Sequence, residues 1–336
     1  MTDRTQDRFH RALTLHRDTL LEWLNGDSRS QDVRLGGATT KEVLQVISEL
    51  KDILERIDDG IFGDCKECDD KVESERLEMD YTTCVCLAHY SEGQIRALEH
   101  DLELAAKVQR QLLPCCIPES PDIEIEVHVE PARIVGGDYY DFFSCPGGTQ
   151  GLAIADVMGK GLPASMLMSN LQASLRLLGP EHDEPSKLAV RLNELFRNNL
   201  KLISFISIFL AKIDAEAGIL QYCNAGHHPP ILWEAASGSI RWLMPTGPAI
   251  GLTHDAGFKS ETLPIGSGDL LLLYTDGLVE ARNAQGAEFG EERLATYVKD
   301  YALQPADDFM TGLRNAAQSF VEKFHDDVTL MVVKFL

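Results

Sequence analysis

Four short segments, far apart in the chain, each set an aspartate against a glycine turn or the end of an apolar run. They are Gly136-Gly137-Asp138, Ala155-Asp156-Val157-Met158-Gly159-Lys160-Gly161, Tyr274-Thr275-Asp276-Gly277 and His325-Asp326-Asp327-Val328-Thr329. One such site is an ordinary turn, because aspartate before glycine suits the backbone there. Four of them, each beside a run that reads as a strand, call for a fold that gathers strand ends at one edge. Carboxylates gathered that way, with no thiol or imidazole cluster close by in sequence, are hard oxygen ligands. They suit Mg²⁺ or Mn²⁺ rather than zinc. Metal-assisted hydrolysis is therefore the chemistry expected of the C-terminal two-thirds of the chain.

Length and charge narrow the alternatives. At 336 residues the chain can form two or three domains, and 44% apolar with 25% charged residues is ordinary for a globular protein. A formal net charge of −22 argues against a direct nucleic-acid surface and against anionic lipid, both of which need lysine and arginine. The segment MTDRTQDRFHRAL has no apolar signal core, and no window has the length and hydropathy of a membrane span. The expected location is the cytoplasm, where eight cysteines are metal ligands or free thiols rather than disulfides.

The apolar pattern predicts three parts: residues 1–90, 91–113 and 114–336. In the first, Phe9, Leu13, His16, Leu20 and Leu24 have helical spacing over 8–25. A polar, glycine-containing turn follows. Thr39-Thr40-Lys41-Glu42 has the form of a capping box. Behind it Val43, Val46, Ile47, Leu50, Ile53, Leu54 and Ile57 make one apolar face, and Asp58-Asp59-Gly60 supplies the stop. Two helices with a short link favour an antiparallel hairpin. A third helix is predicted over 91–113, where Ile95, Leu98, Leu102, Ala105, Gln109 and Leu112 form a heptad seam. That seam fits either a homodimer contact or a helix lying on its own domain. Pro114 and Pro118 end it. Beyond, strands are expected at 123–129, 150–157, 203–213, 219–224, 230–233, 269–275 and 327–335, and helices at 162–178, 185–200, 291–302 and 306–323. That order suggests an α+β domain of sheets sandwiched by helices.

Residues 114–336 resemble the SpoIIE/RsbU-type serine phosphatases, a branch of the metal-dependent PPM protein phosphatases. The resemblance is carried by Pro131 through Asp141, Ala155 through Gly161, Asn224-Ala225-Gly226-His227-His228-Pro229-Pro230, Tyr274 through Leu278, and Asp326-Asp327-Val328-Thr329. It implies a PPM-type β-sandwich flanked by helices, with two Mn²⁺ or Mg²⁺ ions on one edge. Carried over residue by residue, Asp156 would bridge the ions and the Val157 carbonyl would complete one of them. Asp276 and Asp326 would hold the second. Asp138 would hold the first, directly or through water. Asp327 would be a hydrogen-bonding neighbour, and Arg133 has the spacing of a phosphate-binding arginine. The substrate class implied is phosphoserine on an anti-sigma-factor antagonist, a small STAS domain. Such chemistry needs no protein nucleophile, and Cys223 reads as a buried small hydrophobe. Adjacent His227 and His228 on an extended chain point to opposite faces and cannot easily chelate one ion, so Asn224–His228 reads as a structural turn. Gly159-Lys160-Gly161 is not a P-loop, because Ile154 stands where that loop needs glycine.

A second cluster lies upstream: Cys65-x-x-Cys68, then Cys84, Cys86 and His89. Two close thiolates followed by a second pair brought round by a loop can enclose a tetrahedral zinc. Cys65, Cys68, Cys86 and His89 are the best set, since Cys86-x-x-His89 mirrors the first spacing; Cys84 is then spare, or an alternative ligand if the loop shifts. Residues 50–77, including Asp64-Cys65-Lys66-Glu67-Cys68 and Arg76-Leu77, resemble the DksA/TraR zinc-finger family, with histidine in the fourth position where cysteine is usual. That resemblance implies a helical hairpin leading into a zinc fold. Asp27 and Asp32 lie in its turn. In that family an acidic hairpin tip can enter RNA polymerase, so the resemblance also implies a different role, that of a polymerase-associated transcription regulator. The other expectation is that residues 1–90 form a sensory or dimerisation module controlling the phosphatase through 91–113.

Overall fold

The computed structural model describes residues 40–68, 70–73, 76–77, 83–159, 161–199, 205–253 and 256–336, together with His10, Leu13, Thr14, Arg17, Asp18 and Leu21. The chain divides into two compact units, Met1–Glu103 with Phe196–Ser204, and Leu104–Leu195 with Phe205–Leu336.

In the N-terminal unit, helix α1 spans Thr40–Asp58. Its apolar face buries Ile47, Leu50, Ile53 and Leu54 against Leu13, Phe62, Cys65, Val72, Leu77 and Cys86. The stop works as the sequence suggests. Gly60 takes φ +71°, and the Gly60 and Ile61 N–H groups bond back to the Ile57 and Arg56 carbonyls. Of the helix expected over 8–25, the described residues are helical. Phe9, His16, Leu20, Leu24, Asp27, Asp32 and Thr39 lie outside the described residues. Helix α2 spans Glu92–Leu112.

The C-terminal unit is built on two five-stranded sheets, with every neighbouring pair of strands antiparallel. Its strands are β1 Ile123–Glu130, β2 Tyr139–Ser144, β3 Gln150–Val157, β4 Ile206–Asp214, β5 Ile219–Ala225, β6 Ile231–Glu234, β7 Ser239–Trp242, β8 Glu261–Pro264, β9 Leu270–Tyr274 and β10 Val328–Phe335. One sheet runs β1-β10-β9-β6-β7 and the other β2-β3-β4-β5-β8. The helices are α3 Leu162–Leu178, α4 Pro185–Asn199, the short α5 Asp276–Val279, α6 Gly290–Tyr301 and α7 Ala306–Phe320.

Alternation along the central strands makes the layers. Leu271 and Leu273 of β9 and Met331 and Val333 of β10 face the second sheet and meet Leu152, Ile154, Phe209 and Ala211. Leu270, Leu272, Leu330 and Val332 point the other way, onto Leu294, Val298, Phe309 and Leu313 of α6 and α7. Burial on both faces explains why Leu270-Leu271-Leu272-Leu273 is an unbroken apolar run. Helix α3 lies against β2 and β3. The observed strands and helices match the expected ones closely, with the short helix α5 and three strands added. β7 and β8 are four-residue edge strands with little burial, and β2 carries a buried aspartate. β8 and β2 lack the clean alternation that announces a strand, and β7, Ser239-Ile240-Arg241-Trp242, alternates over only four residues.

Candidate active site

The two sheets bring one edge together from four turns. Asp138 immediately precedes β2, and β2–β3 pairing sets Tyr139 opposite Ala155, so the next step of the register places Asp138 beside Asp156 at the end of β3. A Cβ on Gly137 would lie 2.7 Å from the Val157 carbonyl oxygen and 3.6 Å from Asp156 Oδ1. Asp156, Asp138 and the Val157 carbonyl are thus neighbours. From the other sheet, Asp276 follows β9 and Asp326 precedes β10, strands that pair through Tyr274 and Leu330. The turns meet so closely that a Cβ on Gly277 would stand 2.0 Å from the Asp327 carbonyl oxygen. Glycine after Asp276 is therefore a requirement of close approach.

Two threonines join the sheets. Thr275 Oγ1 and Thr329 Oγ1 donate to Asp138 Oδ2 at 2.8 and 2.7 Å. Sequence reasoning singled out neither. Thr275 adjoins Asp276 and Thr329 lies three residues past Asp326, but neither position announces a bond to Asp138. Asp327 serves as the expected hydrogen-bonding neighbour: its two carboxylate oxygens accept the Ala132 and Gly137 N–H groups, each at 2.9 Å. Arg133 is half-buried on the same loop, between β1 and β2. Asp141 does not join the cluster. It is buried and bonded to Arg176 at 3.1 Å, to the Tyr139 hydroxyl and to the Phe142 N–H.

The electrostatics of the edge favour a cation. Burial, and then the charges of Asp156 and Asp327, push the Asp138 carboxyl well above the ordinary carboxylate range, against the pull of the two threonine hydroxyls. Burial, with Asp326 and Glu280 beside it, raises Asp276 to about 6. Crowded oxygens that raise one another in this way are relieved by a divalent ion, and an all-oxygen donor set fits Mg²⁺ or Mn²⁺.

The Asn224–His228 segment is the structural turn expected of it, with one exception. Asn224 Nδ2 donates to the Leu243 carbonyl at 2.9 Å, and its Oδ1 accepts the His227 N–H at 2.8 Å. His227 is buried, and Ser207 Oγ lies 3.1 Å from its Nδ1. Burial above all, then His228, lowers His227 to about 3 and keeps it neutral. His228 turns the other way. Its ring nitrogen, an Asp276 oxygen and a Glu280 oxygen lie within 4.8 Å of one another. The alternation that sends adjacent histidines to opposite faces thus buries His227 and sets His228 beside Asp276.

In the N-terminal unit, the ligand atoms of Cys65, Cys68, Cys86 and His89 lie within 4.8 Å of one another. The Cys68 and Cys86 sulfurs are 3.6 Å apart. Cys65 is buried, which alone would raise its thiol. The Cys86 and Glu67 N–H groups, at 3.3 and 3.4 Å from its sulfur, outweigh this and hold it down to about 6. N–H groups aimed at sulfur stabilise a thiolate, the form a zinc ligand takes. Cys84 contributes its carbonyl to the Lys66 N–H, and its side chain is not part of the cluster. Arg76 braces the second half of the loop. It donates to the Val85 carbonyl at 2.8 Å and sits 5.1 Å from the Tyr90 ring centre.

Comparisons with known proteins identify the fold and the family. Phosphoserine phosphatase RsbU of Bacillus subtilis (strain 168) is 27% identical over 243 residues, which is 72% of this chain and 72% of that protein. Phosphoserine phosphatase RsbP of the same organism is 30% identical over 186 residues, and the match spans 46% of its length. Among solved structures, the SiaA-PP2C domain of Pseudomonas aeruginosa matches with a TM-score of 0.62 at 21% identity, covering 72% of this chain and 98% of that domain. The fold of the C-terminal unit is accordingly PP2C-like, two antiparallel sheets with helices. The family described as Stage II sporulation protein E (SpoIIE) matches residues 146–336, a span that includes Asp156, Asp276 and Asp326 and begins just after Asp138. The chain belongs to the SpoIIE family.

Proposed function

We propose that this chain is a metal-dependent protein serine phosphatase acting on a phosphorylated regulatory protein of the STAS type. One observation carries the reading: carboxylates from both sheets converge at one edge, with Asp138 hydrogen-bonded across to Thr275 and Thr329. Asp138, Asp156 and the Val157 carbonyl would hold one ion, and Asp156, Asp276 and Asp326 the other. Bound there, the pair would acidify an attacking water and neutralise charge on the phosphoryl oxygens. The chain's own part is to fix those oxygens, and Arg133 is the candidate contact for the phosphate. RsbU and RsbP are phosphoserine phosphatases by name, which supports the choice of phosphoserine.

The N-terminal unit we read as a zinc-stabilised control module of DksA/TraR type. Its four-donor cluster and the lowered Cys65 thiol support zinc. A polymerase-directed role would rest on an acidic hairpin tip, and Asp27 and Asp32 lie outside the described residues.

The direct experiment incubates the full chain with a phosphoserine-bearing STAS protein and Mn²⁺ and measures phosphate release. Asp156→Ala and Asp276→Ala should each remove activity, and removing residues 1–90 should change the rate. Undiminished hydrolysis in both aspartate variants would sink the two-metal assignment.

A further inference from the structure

Gln109 occupies a position that, read as a heptad, would face a partner helix. In the folded C-terminal unit its carboxamide meets the chain's own Gly136. Nε2 donates to the Gly136 carbonyl at 2.6 Å, and Oε1 accepts the Gly136 N–H at 3.1 Å. A single side chain thus satisfies both backbone polar groups of one residue. Only a carboxamide of this length can do so, because a carboxylate has no donor and a thioether has neither function in strength.

Gly136 is gripped from its other side as well. A Cβ there would stand 2.2 Å from Asp327 Oδ2, and the neighbouring Gly137 N–H bonds to that same oxygen. The turn is therefore held between Gln109 and Asp327, two residues ahead of Asp138. The same stretch of α2 is fastened at a second point, where Arg176 Nη2 donates to the Leu112 carbonyl at 3.3 Å. Arg176 is also the partner of Asp141, on the strand that Asp138 leads into.

We propose that Gln109 is a positioning residue of the phosphatase site. Its carboxamide holds Gly136, and through it Asp138, so that helix α2 acts as a latch on the metal-binding turn. This deepens the phosphatase reading above and rests on it. The latch is sensitive because α2 is one continuous helix from Glu92 to Leu112. An α-helix moves as a rod, advancing about 1.5 Å per residue. Hydrogen bonds tolerate only a few tenths of an ångström. A small slide or rotation of α2 breaks both bonds together and leaves the Gly136 N–H and carbonyl unpaired in a buried turn, which is costly.

The test uses the full chain with Gln109→Met, which keeps length and helix propensity, and Gln109→Glu, which keeps only the acceptor. Three quantities are read: hydrogen exchange across residues 131–138, Mn²⁺ affinity by calorimetry, and kcat and KM on p-nitrophenyl phosphate. With unchanged far-UV spectra, Gln109→Met should exchange this segment about tenfold faster and lose about tenfold in kcat, the scale of two neutral hydrogen bonds. KM should stay within about twofold. Mn²⁺ binding should weaken, and Gln109→Glu should be the worse of the two because its charge faces the Gly136 carbonyl. Exchange, affinity and kcat all within about twofold of the parent in both variants would overturn the latch. Faster exchange with unaltered kcat and Mn²⁺ affinity would overturn the positioning role and leave a structural contact. A parent chain without Mn²⁺-dependent hydrolysis, whose variants still exchange faster and bind Mn²⁺ more weakly, would overturn the phosphatase reading and retain the latch.

Discussion

Asp138 shows how a single carboxylate is prepared. It is 8% exposed, and its neighbours Asp156 and Asp327 repel its charge, yet Thr275 and Thr329 each give it a hydroxyl. Thr329→Val removes one donor and adds no volume to the buried site. The carboxyl should then rise further, and an incoming ion must displace a more tightly held proton. Mn²⁺ affinity should fall about tenfold, as expected for a hydrogen bond to a charged group. The loss should shrink as pH rises, and calorimetry at two pH values checks both parts. Equal affinity at both would show that the hydroxyl does not tune Asp138. The aspartates themselves were readable from sequence, because aspartate beside glycine at a strand end is a local pattern. The threonine donors were not, since a hydroxyl across a sheet boundary leaves no local trace.

Among the elements, the zinc-type loop is where spacing told most. Cys65-x-x-Cys68 and Cys86-x-x-His89 have matching steps, and those four side chains cluster. Zinc content should be one per chain in the parent. It should be near zero in Cys65→Ser and unchanged in Cys84→Ser, read by metal analysis of purified protein. Zinc lost from Cys84→Ser would contradict the assignment. The central strands β3, β4, β9 and β10 were equally legible, because burial on both faces demands long apolar runs. The edge strands β7 and β8 were hidden for the opposite reason. Each is four residues long and paired on one side only, and so short a run is too brief for its alternation to stand out, even in β7 where Ile240 and Trp242 pack on the core.

For the molecule as a whole, crowding acids at one edge costs stability when no ion is bound. Asp276 has its carboxyl raised from 3.8 to about 6 by burial, Asp326 and Glu280. Between those values the folded chain keeps a proton that the unfolded chain has released, so this group makes stability fall as pH rises through the window. Metal-free protein should therefore show a steeper decline in melting midpoint from about pH 4 to about pH 6 than metal-free Asp276→Asn, measured by thermal denaturation. Mn²⁺ should flatten the difference, because an ion that binds only the folded state offsets the repulsion. Identical slopes would mean that Asp276 is not strained by its neighbours.

The order of residues was enough to set the layers, the helices, the four acidic turns and the cysteine-histidine set, because each depends on periodicity or on spacing within a short stretch. Three-dimensional packing decided the rest: which strand ends meet, that His228 turns toward Asp276 while His227 is buried, and that Gln109 grips Gly136. Those pairings join positions that share no local pattern, and only the packing of sheet on sheet and of α2 on the Gly136 turn brings them within reach.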